Sequence, residues 1–124
     1  MALTRHVIDL LTAADGTQTT YSDAPLRGLI HAIRFVDTDL DNTLDLTITC
    51  EKSGAAVLTL TDQAGSATFA PRQPTHDTIG AASLYAAAGE PVEALIPIAG
   101  ERLKVIVAQG GAAKSGALHV YVES

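Results

Sequence analysis

Arg102-Leu103-Lys104-Val105-Ile106-Val107-Ala108 and Ala117-Leu118-His119-Val120-Tyr121-Val122-Glu123 decide how this chain is read. Leu103, Val105 and Val107 share one side of the first run; Leu118, Val120 and Val122 share one side of the second. Successive side chains of an extended strand point to opposite faces, so each run is a strand with one buried face. Gln109-Gly110-Gly111-Ala112-Ala113-Lys114-Ser115-Gly116 lies between them, built from small residues that reverse a chain. Together the three segments read as an antiparallel hairpin. The other face carries Lys104, Ile106, Ala108, His119 and Tyr121, more apolar than a surface that meets only water. The expectation is a small β domain that covers part of its outside with partner subunits.

The same period extends outward from this pair. Thr43 to Cys50 places Leu44, Leu46, Ile48 and Cys50 inward and Thr43, Asp45, Thr47 and Thr49 outward. After the turn Glu51-Lys52-Ser53-Gly54, Ala56 to Thr61 returns with Leu58 and Leu60 on one face and Val57, Thr59 and Thr61 on the other. Gly28 to Val36 puts Leu29, His31, Ile33 and Phe35 on one face and Ile30, Ala32, Arg34 and Val36 on the other. Both faces are largely apolar, which marks a central strand or a subunit contact. Arg5 to Leu11 is the first strand, followed by the Asp15-Gly16 turn and a β-prone Thr17 to Tyr21; Pro25 stops the next ladder. Ala67 to Ala70 is a short strand, and Val92 to Ile98 another, with Pro97 pointing to an edge or a bulge.

Seven to eight short strands at regular spacing give an all-β fold, an antiparallel β-sandwich that is jelly-roll-like, as one domain over residues 1–124. The long connection Pro71 to Pro91 interrupts the rhythm with Pro71, Pro74, Gly80, Gly89 and Pro91. Its Ala-rich piece, Ala81 to Ala88, sets the limit of helix content at one short helix near 80–88, marginal without tertiary support. Connections of this length are commonly functional or contact-making.

Composition narrows the function classes. The chain has 124 residues, 47% hydrophobic and only 4% aromatic with no Trp, so an aliphatic core is expected and a disordered tail is not. Net charge is −6, and the eight basic residues are scattered singly, which argues against nucleic acid and against an anionic membrane surface. No stretch reaches the ~20 apolar residues that span a bilayer. Asp9 breaks the N-terminal apolar stretch a signal peptide needs, so synthesis and folding in a cytoplasm are expected. The single Cys50 excludes an intramolecular disulfide and reads as a buried small hydrophobe.

Catalytic and metal constellations are weak. Asp37, Asp39, Asp41 and Asp45 cluster in one loop, but Asn42 and Ile48 occupy the positions where a calcium loop needs Gly and Glu. His6, His31, His76 and His119 have no metal-ligand spacing. His76-Asp77 is a base beside an acid, yet neither Ser66 nor Ser83 sits in a nucleophile elbow, and the loop reading wins. Gly110-Gly111 lacks the rest of a phosphate-binding loop. No enzyme, no metal and no cofactor is expected. A carbohydrate- or receptor-binding module is the non-enzyme alternative, poorly supplied by Tyr21, Tyr85 and Tyr121 without a Trp platform.

Pro71-Arg72, His76-Asp77-Thr78-Ile79-Gly80-Ala81-Ala82, Ile96-Pro97-Ile98-Ala99, Glu101-Arg102-Leu103-Lys104-Val105 and Ala108-Gln109-Gly110-Gly111 occur in an order that resembles small structural proteins of tailed phages and prophages. The resemblance covers residues 71–124, and the first seventy residues share only the strand-turn rhythm. It implies a virion component, foremost a capsid decoration (cement) protein on the head exterior with the major capsid protein as partner. A homo-oligomer, a trimer among the options, would suit that place; a head-tail connector or tail protein is the competing virion role. Candidate contact residues are Lys104, Ile106, His119 and Tyr121 on the closing strands and Arg72, His76, Asp77 and Tyr85 around the long connection.

Overall fold

A computed structural model describes residues 2–124. The strands are β1 (Leu3–Leu11), β2 (Gln18–Tyr21), β3 (Leu26–Asp37), β4 (Leu44–Cys50), β5 (Ala56–Gln63), β6 (Ala67–Phe69), β7 (Arg72–Pro74), β8 (Glu93–Glu101), β9 (Leu103–Ala108) and β10 (Ser115–Glu123). The larger sheet runs β1-β10-β3-β8-β7, with β6 beside the second half of β3; the smaller runs β2-β9-β4-β5. Every pairing is antiparallel. The eight longer strands pair first with last, second with next-to-last and inward to the β4–β5 hairpin. That is the order of a jelly roll, so the expected sandwich stands, with the three-residue strands β6, near the expected Ala67 to Ala70, and β7, in the long connection, lying between β5 and β8.

The expected closing hairpin does not form. β9 lies between β2 and β4 in the smaller sheet, while β10 lies between β1 and β3 in the larger. Leu103, Val105 and Val107 therefore contribute to the core from one sheet, and Leu118, Val120 and Val122 from the other; all six are buried. A period of two records which side of a strand is buried and is silent on which strand lies beside it. The loop between them arches from sheet to sheet, with positive φ at Gln109 (56°), Gly111 (88°) and Ala113 (52°).

β3 departs from plain alternation. Tyr121 pairs with Ala32 and Val122 with Ile30, leaving His31 as the extra residue of a β-bulge. The bulge shifts the phase, so Ile30, Ile33 and Phe35 are all fully buried. His31 and Leu29 are exposed instead of sharing a face with Phe35, which corrects the two faces read from sequence.

Residues 71–91 contain no helix. β7 pairs with the start of β8, and the backbone beyond continues as an arm held by isolated bridges, His76 with Ala82 and Leu84 with Pro91. The Thr75 amide donates to the Val92 carbonyl, Ser83 to Thr75 and Val92 to Ser83, each at 2.9 Å. Asp77 Oδ1 accepts the Ile79 and Ala81 amides at 3.0 Å and ties the first turn. Short Ala stretches do not nucleate a helix alone, and here the competing side-chain turn and Gly80 (φ 83°) decide the outcome.

Candidate contact surfaces

The residues expected to share one contact face lie on three parts of the molecule. His119 and Tyr121 are on the outer face of the larger sheet, half-buried among neighbours. Lys104 and Ile106 are on the outer face of the smaller sheet, opposite. The expected single surface is thus corrected, because β9 and β10 belong to different sheets. Arg72, His76, Asp77 and Tyr85 lie in β7 and the arm. Arg72 Nη1 donates to the carbonyls of His31 (3.2 Å) and Pro71 (2.9 Å), so it anchors the arm's base. The Asp77 carboxylate is occupied by its own turn and makes no base–acid pair with His76. Tyr85 and Ile79 are open, at 76% and 88% exposure.

Register builds the outer face of the larger sheet row by row. Val7, His119 and Arg34 lie side by side, as do Arg5, Tyr121 and Ala32. Leu3, Glu123, Leu29 and Pro97 form a third row, and Asp9, Ala117 and Val36 a fourth. Arg34 Nη1 donates to Thr68 Oγ1 at 3.0 Å, which holds β6 against this side. Leu3, Val7, Leu11 and Leu29 are all exposed, interspersed with charges. Adjacent cross-strand positions make such residues one surface, and exposed apolar patches on small domains commonly mark protein contacts.

The smaller sheet is different. Its outer face sets Ile106 between Thr19 and Thr47 and Lys104 between Tyr21 and Thr49. Arg102 stacks on the Tyr21 ring at 4.4 Å and forms a two-pronged pair with Glu51. Glu101 Oε1 accepts the amides of Lys52 (2.7 Å) and Ser53 (3.0 Å). The Arg102 hydrogen bond holds the Glu51 carboxyl below the usual glutamate range; the Ser53 amide, then that of Lys52, does so for Glu101. These groups lock the β4–β5 turn to the β8–β9 corner.

Sequence reading missed the free edge of β1. Ala2 and Ser124 exchange backbone hydrogen bonds, and the Thr12 amide donates to the Lys114 carbonyl. Even-numbered residues therefore aim their amides at β10, and Leu3, Arg5, Val7 and Asp9 aim theirs outward. The Leu11 amide is satisfied by Gln18 Oε1 at 2.8 Å. A cleft of about 290 Å³ runs along Arg5, His6 and Val7, closed on its far side by Ser22, Asp23, Ala24 and Leu26. The order Leu3, Arg5, Val7, Asp9, Leu11 stands in the sequence, but its place at a sheet edge does not.

Acidic and nucleophilic residues serve the fold. Asp37 Oδ1 accepts the Leu40 amide (2.8 Å), Asp39 Oδ1 the Ser115 amide (2.6 Å) and Asp45 Oδ1 the Asp62 amide (3.0 Å). Among the described residues no three His, Cys, Asp or Glu side chains converge as a metal site. Cys50 is 2% exposed; burial, with the Glu101 charge adding to it, pushes its thiol up.

No family model and no curated protein matches the chain. Among solved structures it is similar to one titled "Crystal Structure of FLHE", at 12% identity over 100% of both chains with a TM-score of 0.47. The expectation of a capsid decoration protein is corrected: no family model or curated protein supports it, and the structural likeness found is to FlhE. Strand-and-turn residues such as Ile96-Pro97-Ile98 and Gln109-Gly110-Gly111 recur wherever short strands meet tight turns, so they specify a β fold without a role. At this level of similarity no function passes from FlhE to this chain.

Proposed function

We propose that this protein is a non-catalytic assembly module that works by self-association through its larger sheet. The observation that carries the reading is the outer face and edge of that sheet, where Leu3, Val7, Leu11 and Leu29 are exposed beside Ala32, Val36 and Ala117. Burying such a face against a second copy releases apolar surface from water, at about 25 cal/mol per Å² before the cost of association. The smaller sheet supports the assignment by contrast, since threonines and a locked Arg102–Glu51–Tyr21 corner fit a solvated side.

The absence of converging ionisable groups among the described residues favours contact over catalysis. His76 stands exposed in the arm, and Cys50 is sealed in the core. The scattered cations support partners other than nucleic acid or anionic bilayers. Sedimentation velocity across the micromolar range tests the reading. Dimers or larger species that dissociate on dilution are expected, and a strictly monomeric protein throughout would contradict it.

A further inference from the structure

We propose that β1 pairs edge to edge with β1 of a second copy, antiparallel, about a two-fold axis through Val7. The inference rests on the self-association reading and names the partner, the edge and the register.

β1 is a long edge strand without a bulge or a proline, and its two charges, Arg5 and Asp9, are of opposite sign. Open edges template strand addition unless they are short, bulged or blocked by proline or charge. β2 has four residues; β6 and β7 have three each, and β7 ends in Pro74. β5 is bulged at two places against β4 and carries Asp62 at a φ of 51°. β1 has nine residues, no register shift against β10 and no proline. Its outward amides and carbonyls at Leu3, Arg5, Val7 and Asp9 have no backbone partner among the described residues, and Arg5 and Val7 line the cleft beside Ser22–Ala24.

Charge chooses the register. With the axis at Val7, Arg5 meets Asp9 of the second copy twice, Val7 meets Val7, and Leu3 meets Leu11. All these side chains lie on the outer face and all are exposed. Among the described residues neither Arg5 nor Asp9 makes an ion pair within its own chain. An axis at Arg5 or at Asp9 would set like charges opposite each other. An axis at His6 or Ile8 would set Arg5 or Asp9 against Val7. Opposite charges directly across an antiparallel pair stabilise it and like charges oppose it, so one register alone satisfies every pair. The two larger sheets would then run on as one, and the symmetric contact closes on itself without leaving a β1 edge for further addition.

Charge reversal with sedimentation velocity tests this. R5D and D9R should each weaken dimerisation by roughly tenfold or more, because each places two like-charge pairs at the joint. An equimolar mixture of R5D and D9R should regain association as a heterodimer, and the double variant R5D/D9R should dimerise alone. Both side chains are exposed, and thermal melting verifies that the variants fold; if either melts early, amide exchange at Arg5, Val7 and Asp9 of the wild type reads the same edge. Wild-type association by both single variants would overturn the β1 joint while leaving self-association intact, as would a mixture that stays monomeric. A monomeric wild type would overturn both.

Discussion

Thr12 and Lys114 join two of the places where the chain crosses between sheets at this end of the sandwich. The Thr12 amide donates to the Lys114 carbonyl at 2.9 Å, and the Lys114 amide donates to Thr12 Oγ1 at 2.8 Å. Thr12 Oγ1 in turn donates to the Gly111 carbonyl at 2.5 Å. Thr12 is 3% exposed, so this hydroxyl works without competition from water. The β1–β2 and β9–β10 crossings are thereby tied to each other.

Thr12→Val keeps the shape and removes the hydroxyl. It leaves the Lys114 amide without its side-chain acceptor, a loss of about 1–3 kcal/mol for a buried unsatisfied group. Denaturant unfolding should show a lower midpoint with an unchanged slope; an unchanged midpoint would show that the arch does not depend on this contact.

Gly28 tests the packing of β3 against the chain's end. Its φ is 124°, and a Cβ there would stand 2.2 Å from the Glu123 carbonyl oxygen. Gly28→Ala should cost about 2 kcal/mol or more, from backbone strain and collision together. Gly65→Ala meets open space and should cost less despite a φ of 77°. Equal melting temperatures for the two variants would refute the collision.

Acid should loosen the corner built by Glu51 and Glu101. Both carboxyls titrate below the ordinary glutamate value of 4.5 in the folded protein. A depressed folded pKa gives stability that is present above the unfolded value and is lost as pH falls through the folded one. The melting temperature should therefore decline as pH drops below 4.5, and E51Q and E101Q should each flatten that decline. A profile identical in wild type and variants would remove these groups from the account.

Cys50 should behave as core. Its thiol is buried and pushed up, so little thiolate is exposed to reagents. Labelling by a thiol reagent at neutral pH should follow global unfolding, rising steeply with denaturant. Rapid labelling of the native protein would show that the β4 interior opens locally.

Much of the sandwich was legible because burial writes a period of two into strands. Leu44, Leu46, Ile48 and Cys50 are all buried, and Leu58 and Leu60 pair with Ile48 and Leu46. Partnership was not legible, since the same pattern serves a hairpin or two strands on opposite sheets; β9 and β10 took the second option. The bulge at His31 was hidden because both faces of β3 are apolar, so alternation gave no phase error to notice. Ala81 to Ala88 reads as helix by composition, but its helix is too short to survive beside the Asp77 turn and the ladder to Val92. Orientation was partly visible: His119 and Tyr121 do face outward from the larger sheet. The β1 edge was not, because an open edge is a property of sheet order and no single strand displays it.

Amide hydrogen exchange at Arg5, Val7 and Asp9 tests the central claim most directly, because these N–H groups face solvent in a lone chain and the second copy in the joined pair. The account predicts slow exchange at high protein concentration that becomes fast on dilution, while Ile8 and Leu10, bonded to β10, stay protected throughout. Fast exchange at all three amides at every concentration would contradict it.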